Sequence, residues 1–103
     1  LRGIAGLIAY TASKAGVEGI TKCMAKDMSQ YNIRVNSIQP GLIDTRMATV
    51  VPEEVDIHAD TWIPQLATKR TGKPIEIAEV AVFLSSDRAS YINGTSINVS
   101  GGY

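Results

Sequence analysis

The chain has 103 residues, an apolar fraction of 45%, and ten basic residues balanced by ten acidic ones. That size fits one small domain, and the apolar content excludes disorder along the whole length. The charge balance excludes nucleic acid or an anionic membrane as a partner held by net charge, so any partner has to be argued from local features.

One cysteine, Cys23, leaves no internal disulfide to form, and with the single histidine, His58, it makes no metal-ligand set. No metal site is expected, and the setting reads as reducing and cytoplasmic. No stretch approaches the roughly 20 apolar residues that cross a bilayer, and no signal peptide opens the sequence. The chain starts at Leu1 with a glycine-rich run over 3–6, which suggests a piece of a larger domain.

Between residues 9 and 31, Val17, Ile20, Met24 and Met28 recur at spacings of three and four, the signature of one helix face, predicting a helix of about twenty residues. A second track, Ala12, Gly16, Gly19 and Cys23, is small. Helical glycines cost about 1 kcal/mol each against alanine, so a second backbone is expected to pack there, with Cys23 a packed thiol. Residues 33–38, "IRVNSI", alternate β-branched and polar side chains and read as a short strand. It is expected to stop at Pro40-Gly41, where proline lacks an N–H and glycine permits positive φ.

From about 44 to 72 the periodicity fails, and a long, partly helical lid over the substrate is expected. Pro74 opens "PIEIAEVAVFLSS", whose stripe of Ile77, Val80, Ala81 and Leu84 predicts a well-buried helix, with Glu76 and Glu79 favouring its amino end. Asn93-Gly94 marks a turn, and "TSINVS" a last strand. Helix, strand, lid, helix, strand is half of an alternating α/β pattern with a parallel sheet. Residues 1–103 therefore read as part of one domain too small to hold a core of its own.

"IAYTASKAG" sets Tyr10 and Lys14 four apart, on one helix face. A free phenol loses its proton near pH 10, a neighbouring ammonium favours the phenolate, and a tyrosine so tuned works as a general acid or base. That spacing also arises by chance in many helices. The small residues Ala12, Ser13, Ala15 and Gly16 around the pair favour a site, because they let a ligand lie against the helix. Ser13 has no base spaced to activate it and is expected to serve helix packing.

"YTASKAG" resembles the Tyr-x-Ala-Ser-Lys element of the classical short-chain dehydrogenase/reductase family. "RVNSIQPGLIDT" resembles that family's Asn-x-x-x-Pro-Gly-x-x-x-Thr strand and turn, and "EIAEVAVFLSSDRASYINGTSINVSGG" resembles its final helix and strand. The three matches, in order, cover nearly the whole chain as a carboxyl-terminal half. The resemblance implies a Rossmann-type doubly wound parallel sheet and an NAD(P)-dependent oxidoreductase moving hydride between nicotinamide and an alcohol or carbonyl. It implies Tyr10 as acid or base, and Lys14 as the group that tunes Tyr10 and binds the nicotinamide ribose. Pro40 and Gly41 would shape the turn around the nicotinamide, Ile43 would meet its carboxamide through the backbone, and Thr45 would add a side-chain hydrogen bond. The family's glycine-rich phosphate loop and catalytic asparagine are missing from the sequence, and its serine would lie about thirteen residues before Tyr10, ahead of Leu1. The choice between NAD and NADP therefore stays open.

Met47 and Trp62, with His58 near the latter, are candidates for the substrate pocket. Asn36 is expected to be structural, hydrogen-bonding neighbouring backbone to steady the Pro-Gly turn. The acids at 53, 54, 56 and 60 form a poor entrance for an anionic substrate and lean toward a neutral alcohol, ketone or sugar-like one. Resemblance of the final segment to 3-oxoacyl carrier-protein reductases pulls the other way. The family's subunits pack through the first helix and the final helix and strand, so a homodimer or homotetramer is expected. Two rival readings stand beside the enzyme: a non-catalytic cofactor-binding or structural relative, and an inactive piece lacking the cofactor half.

Overall fold

In the computed structural model, residues 5–44 and 63–102 are described. Helix α1 runs over Ile8–Met28 and tightens into a 3₁₀ turn, Ser29–Tyr31. Asn32 then adopts the left-handed conformation at φ 58° and donates its N–H to the Ser29 carbonyl, which stops the helix. Strand β1 covers Ser37–Pro40, helix α2 Pro74–Leu84 and strand β2 Ser96–Val99. Short 3₁₀ turns occupy Ile63–Gln65 and Asp87–Ala89.

Strands β1 and β2 pair side by side. The Ser37 N–H donates to the Thr95 carbonyl and the Gly41 N–H to the Val99 carbonyl, an equal advance along both strands that fixes a parallel register. The residues group into two compact units, one of Leu1–Ser37 and Phe83–Ile97, the other of Ile38–Val82 and Asn98–Tyr103.

In the first unit, the buried face of α1 is not its apolar stripe. Val17, Ile20 and Met24 are exposed, Ile20 by 57%, while Thr21 and Ala25 are buried. The reason is the close approach of Gly94, in its turn at φ 75°: a Cβ there would lie 3.2 Å from the Ala25 side chain. Small side chains admit that backbone where Ile20 or Met24 would not. The track of Gly16, Gly19 and Cys23 is also open, with nothing within 4 Å of a Cβ at either glycine and the thiol exposed. The close-packed backbone expected there meets Ala25 instead.

The first strand starts later than its alternation predicts, at Ser37 rather than residue 33. Residues 34–36 spend their polar groups on the Phe83–Ile97 segment. Arg34 donates to the carbonyls of Leu84, Ser86 and Ile92, and the Val35 N–H donates to Asn93 Oδ1. Asn36 donates to the Ile92 carbonyl and accepts from the Thr95 N–H, a structural role as expected, but one that ties it to the turn before β2 and not to the Pro40-Gly41 turn.

Helix α2 begins at Pro74 as predicted, yet it is not well buried: Leu84 alone of its residues is, while Ile75, Val82 and Phe83 are exposed, Val82 by 71%. Among the described residues the buried apolar set is Ala25, Leu66, Leu84 and Ala89. Two strands offer too little sheet surface to cover helices of 21 and 11 residues.

Candidate active site

Tyr10 and Lys14 belong to the first unit. Tyr10 is the third residue of α1, whose first turn carries no acidic residue and no side-chain cap. The one-turn spacing brings the pair together as predicted: Lys14 Nζ lies over the Tyr10 ring, 5.3 Å from its centroid, within cation–π range. Tyr10 is 57% exposed, and Ala12, Ser13, Ala15 and Gly16 beside it are exposed too. The Ser13 hydroxyl donates to the Tyr10 carbonyl at 2.7 Å, so it is tied to its own helix, and the residue is exposed where helix packing was expected.

Pro40, Gly41 and Ile43 belong to the second unit. Gly41 is not in the positive-φ region; its glycine is required for another reason. A Cβ on Gly41 would lie 2.6 Å from the Ser100 Cα, so the chain after β1 runs against the chain after β2 at a separation only glycine allows. Beyond the turn, Ile43 bridges Gly72 in parallel: the Gly72 N–H donates to the Leu42 carbonyl and the Asp44 N–H to the Gly72 carbonyl, both at 2.8 Å. The Thr68 N–H and hydroxyl both donate to the Gly101 carbonyl. The segment 68–72 is thereby stitched across the carboxyl ends of both strands, where open α/β sheets bind their ligands.

Leu42, Ile43, Arg70, Gly72, Glu76 and Ser100 are among the residues lining a cavity of about 110 Å³ in this unit. Ligand pockets run from about 300 Å³ upward, so this cavity is smaller than a ligand pocket. Arg70 and Glu76, six residues apart, carry no sequence signal as a pair. The guanidinium grips both carboxylate oxygens, at 2.9 and 2.6 Å, and Glu76 also accepts the Lys73 N–H at 2.8 Å. Arg70 first, then the Lys73 N–H, hold the Glu76 carboxyl at about 2, below its ordinary 4.5. The legible signal was Pro74 at the first helical position with glutamate two residues on, a capping arrangement.

Thr45, Met47, His58 and Trp62 lie outside the described residues, as does most of the expected lid; residues 63–72 form the 3₁₀ turn and the stitched segment. Among the described residues no group of three or more His, Cys, Asp or Glu is placed to hold a metal, and no helix is long and apolar enough to cross a membrane.

The family model described as enoyl-(acyl carrier protein) reductase matches residues 1–103. The chain belongs to the short-chain dehydrogenase/reductase family. The 3-oxoacyl-[acyl-carrier-protein] reductase FabG of Thermotoga maritima is 44% identical over 100 residues, covering 97% of this chain and 39% of that protein. The acetoacetyl-CoA reductase of Rhizobium meliloti is 43% identical over 101 residues, covering 98% and 41%. Among solved structures, a variant of the Serratia marcescens short-chain dehydrogenase/reductase superposes with a TM-score of 0.86 at 36% identity, covering 99% of this chain and 40% of that one. A blue fluorescent protein from a metagenomic library, in complex with NADPH, gives 0.83 at 32% identity, covering 97% and 39%. The chain thus spans about two-fifths of the length of these family members. Its parallel strands and flanking helices are part of the family's Rossmann-type doubly wound fold.

Proposed function

We propose that this chain is the carboxyl-terminal part of an NAD(P)-dependent oxidoreductase and supplies the acid–base end of its site. The observation that carries the reading is the Lys14 ammonium held over an exposed Tyr10 ring at the amino end of α1. The exposed apolar residues of α1 and α2 support the claim of a larger domain, since they need cover that two strands do not give. The small, open face of Ala12, Ser13, Ala15 and Gly16 fits a ribose laid against the helix.

Bound reduced nicotinamide supplies the hydride for such a reaction. Tyr10 donates its hydroxyl proton to the carbonyl oxygen of the substrate, which becomes the alcohol, and is left as phenolate. Lys14 stabilises that negative charge, as does the positive end of the α1 dipole one turn away. The ammonium also donates to ribose hydroxyls. Pro40 and Gly41 shape the turn toward the nicotinamide, Ile43 offers backbone groups to its carboxamide, and Thr45 adds a hydroxyl. Met47 and Trp62 are the sequence's candidates for substrate contact. In the oxidative direction Tyr10 accepts the alcohol proton.

The relatives named as reductases of 3-oxoacyl and acetoacetyl thioesters support a 3-oxoacyl thioester as the first carbonyl to test. The full-length polypeptide, assayed with NADH and NADPH against 3-oxoacyl thioesters and simple ketones, should oxidise cofactor. Cofactor binding with no turnover on any of them would favour the non-catalytic reading.

A further inference from the structure

The Arg70–Glu76 pair closes a loop of contacts that ends at the turn after β1. Glu76 reaches back to the Lys73 N–H and so caps α2, while its carboxylate is held by both terminal guanidinium nitrogens of Arg70. Arg70 in turn donates to the Thr71 carbonyl at 3.0 Å. Between these anchors, Gly72 is pinned to Leu42 and Asp44 by two backbone hydrogen bonds. A Cβ on Gly72 would come 2.8 Å from Ile43 Cδ1, the movable end of that side chain, while the nearest backbone atom, the Leu42 carbonyl oxygen, would lie 3.8 Å away, so it is the two hydrogen bonds that hold Gly72 against 42–44.

Side-chain accessibility of 52% for Arg70 and 40% for Glu76 makes the pair a weak source of stability, because exposed ion pairs are screened and contribute little. Its geometry suits a different task. A bidentate Arg–carboxylate contact fixes direction as well as distance, and here it fixes the start of α2 against the segment that backs Ile43. Resting on the function proposed above, we infer that Arg70 and Glu76 are positioning residues that hold the Leu42–Ile43–Asp44 backbone in place for the cofactor. They act through Gly72 and touch no reacting group. Loosening the pair lets the 42–44 backbone sample orientations in which its polar groups miss the cofactor, so affinity falls while the acid–base pair on α1 is untouched.

The test uses the full-length polypeptide with Arg70→Met, Glu76→Gln and the double substitution, reading reduced-cofactor affinity by fluorescence and amide exchange at Gly72 and Asp44. Each single change should weaken cofactor binding by about two- to fivefold at low ionic strength, as an exposed pair of this kind allows. The double change should be no worse than either single one, and the Gly72 and Asp44 amides should exchange faster. Added salt should weaken wild-type binding toward the mutant level. Faster exchange with unchanged affinity would overturn the positioning role while leaving the function standing. Additive losses in the double variant would overturn the coupling. Absence of any cofactor binding by the wild-type protein would sink the functional reading, and this role with it.

Discussion

The Lys14 ammonium sits over the Tyr10 ring, 5.3 Å from its centroid, at the amino end of a 21-residue helix. One cation beside one phenol has two jobs in the proposed site, charge stabilisation and ribose binding. Lys14→Met in the full-length polypeptide should therefore lower kcat by about 10²-fold or more and weaken cofactor binding as well. Steady-state kinetics with a separate cofactor titration checks both effects.

Gly41 meets Ser100 so closely that an added methyl has no room, and its three nearest neighbours, the Ser100 Cα, Cβ and carbonyl oxygen, do not swing aside. Gly41→Ala should cost about 1–3 kcal/mol or more through forced backbone shifts, read from denaturant unfolding of the full-length polypeptide. A neutral result would show that the two chain segments are not in contact at this turn.

Residues 1–103 alone should not unfold cooperatively. The buried apolar set among the described residues is small, while Ile8, Val82 and Tyr91 stand in solvent, Tyr91 fully. Helical circular dichroism with strong binding of a hydrophobic dye and a broad, gradual melt is the expected outcome. A sharp calorimetric transition with cofactor binding would contradict it.

Glu76 sets an acid-sensitive contact. Its carboxyl is held at about 2 against an ordinary 4.5, so the folded state favours the charged form. The contribution is fully present above about pH 4.5 and is lost as pH falls through about 2. Between those values the wild-type protein should lose more stability than Glu76→Gln, with the difference shrinking in salt because the pair is exposed. Thermal melts across an acid series at two ionic strengths measure this.

Much of the architecture is legible in the sequence. The three- and four-residue spacing over α1, Pro74 ahead of α2 and Asn93-Gly94 before β2 each have one strong local cause. The inward face of α1 was not legible. Val17, Ile20 and Met24 mark an apolar stripe, but periodicity says nothing about which neighbour covers it, and Thr21 with Ala25 faces the Gly94 turn because small groups fit a close backbone. Gly41 shows the same limit: sequence supplies the glycine, and only the Ser100 contact distinguishes close approach from positive φ. The Tyr10–Lys14 pairing was readable from helical pitch, whereas the Gly72 stitch joins residues some thirty apart and leaves no periodic trace.

The most direct test of the account is Tyr10→Phe in the full-length polypeptide, with turnover and cofactor affinity measured side by side on a 3-oxoacyl thioester or ketone substrate. Removing one hydroxyl from an exposed ring should leave the fold and cofactor binding near wild type and lower kcat by about 10²- to 10⁴-fold. Turnover within a few-fold of wild type would contradict the assignment of Tyr10 as the acid–base group.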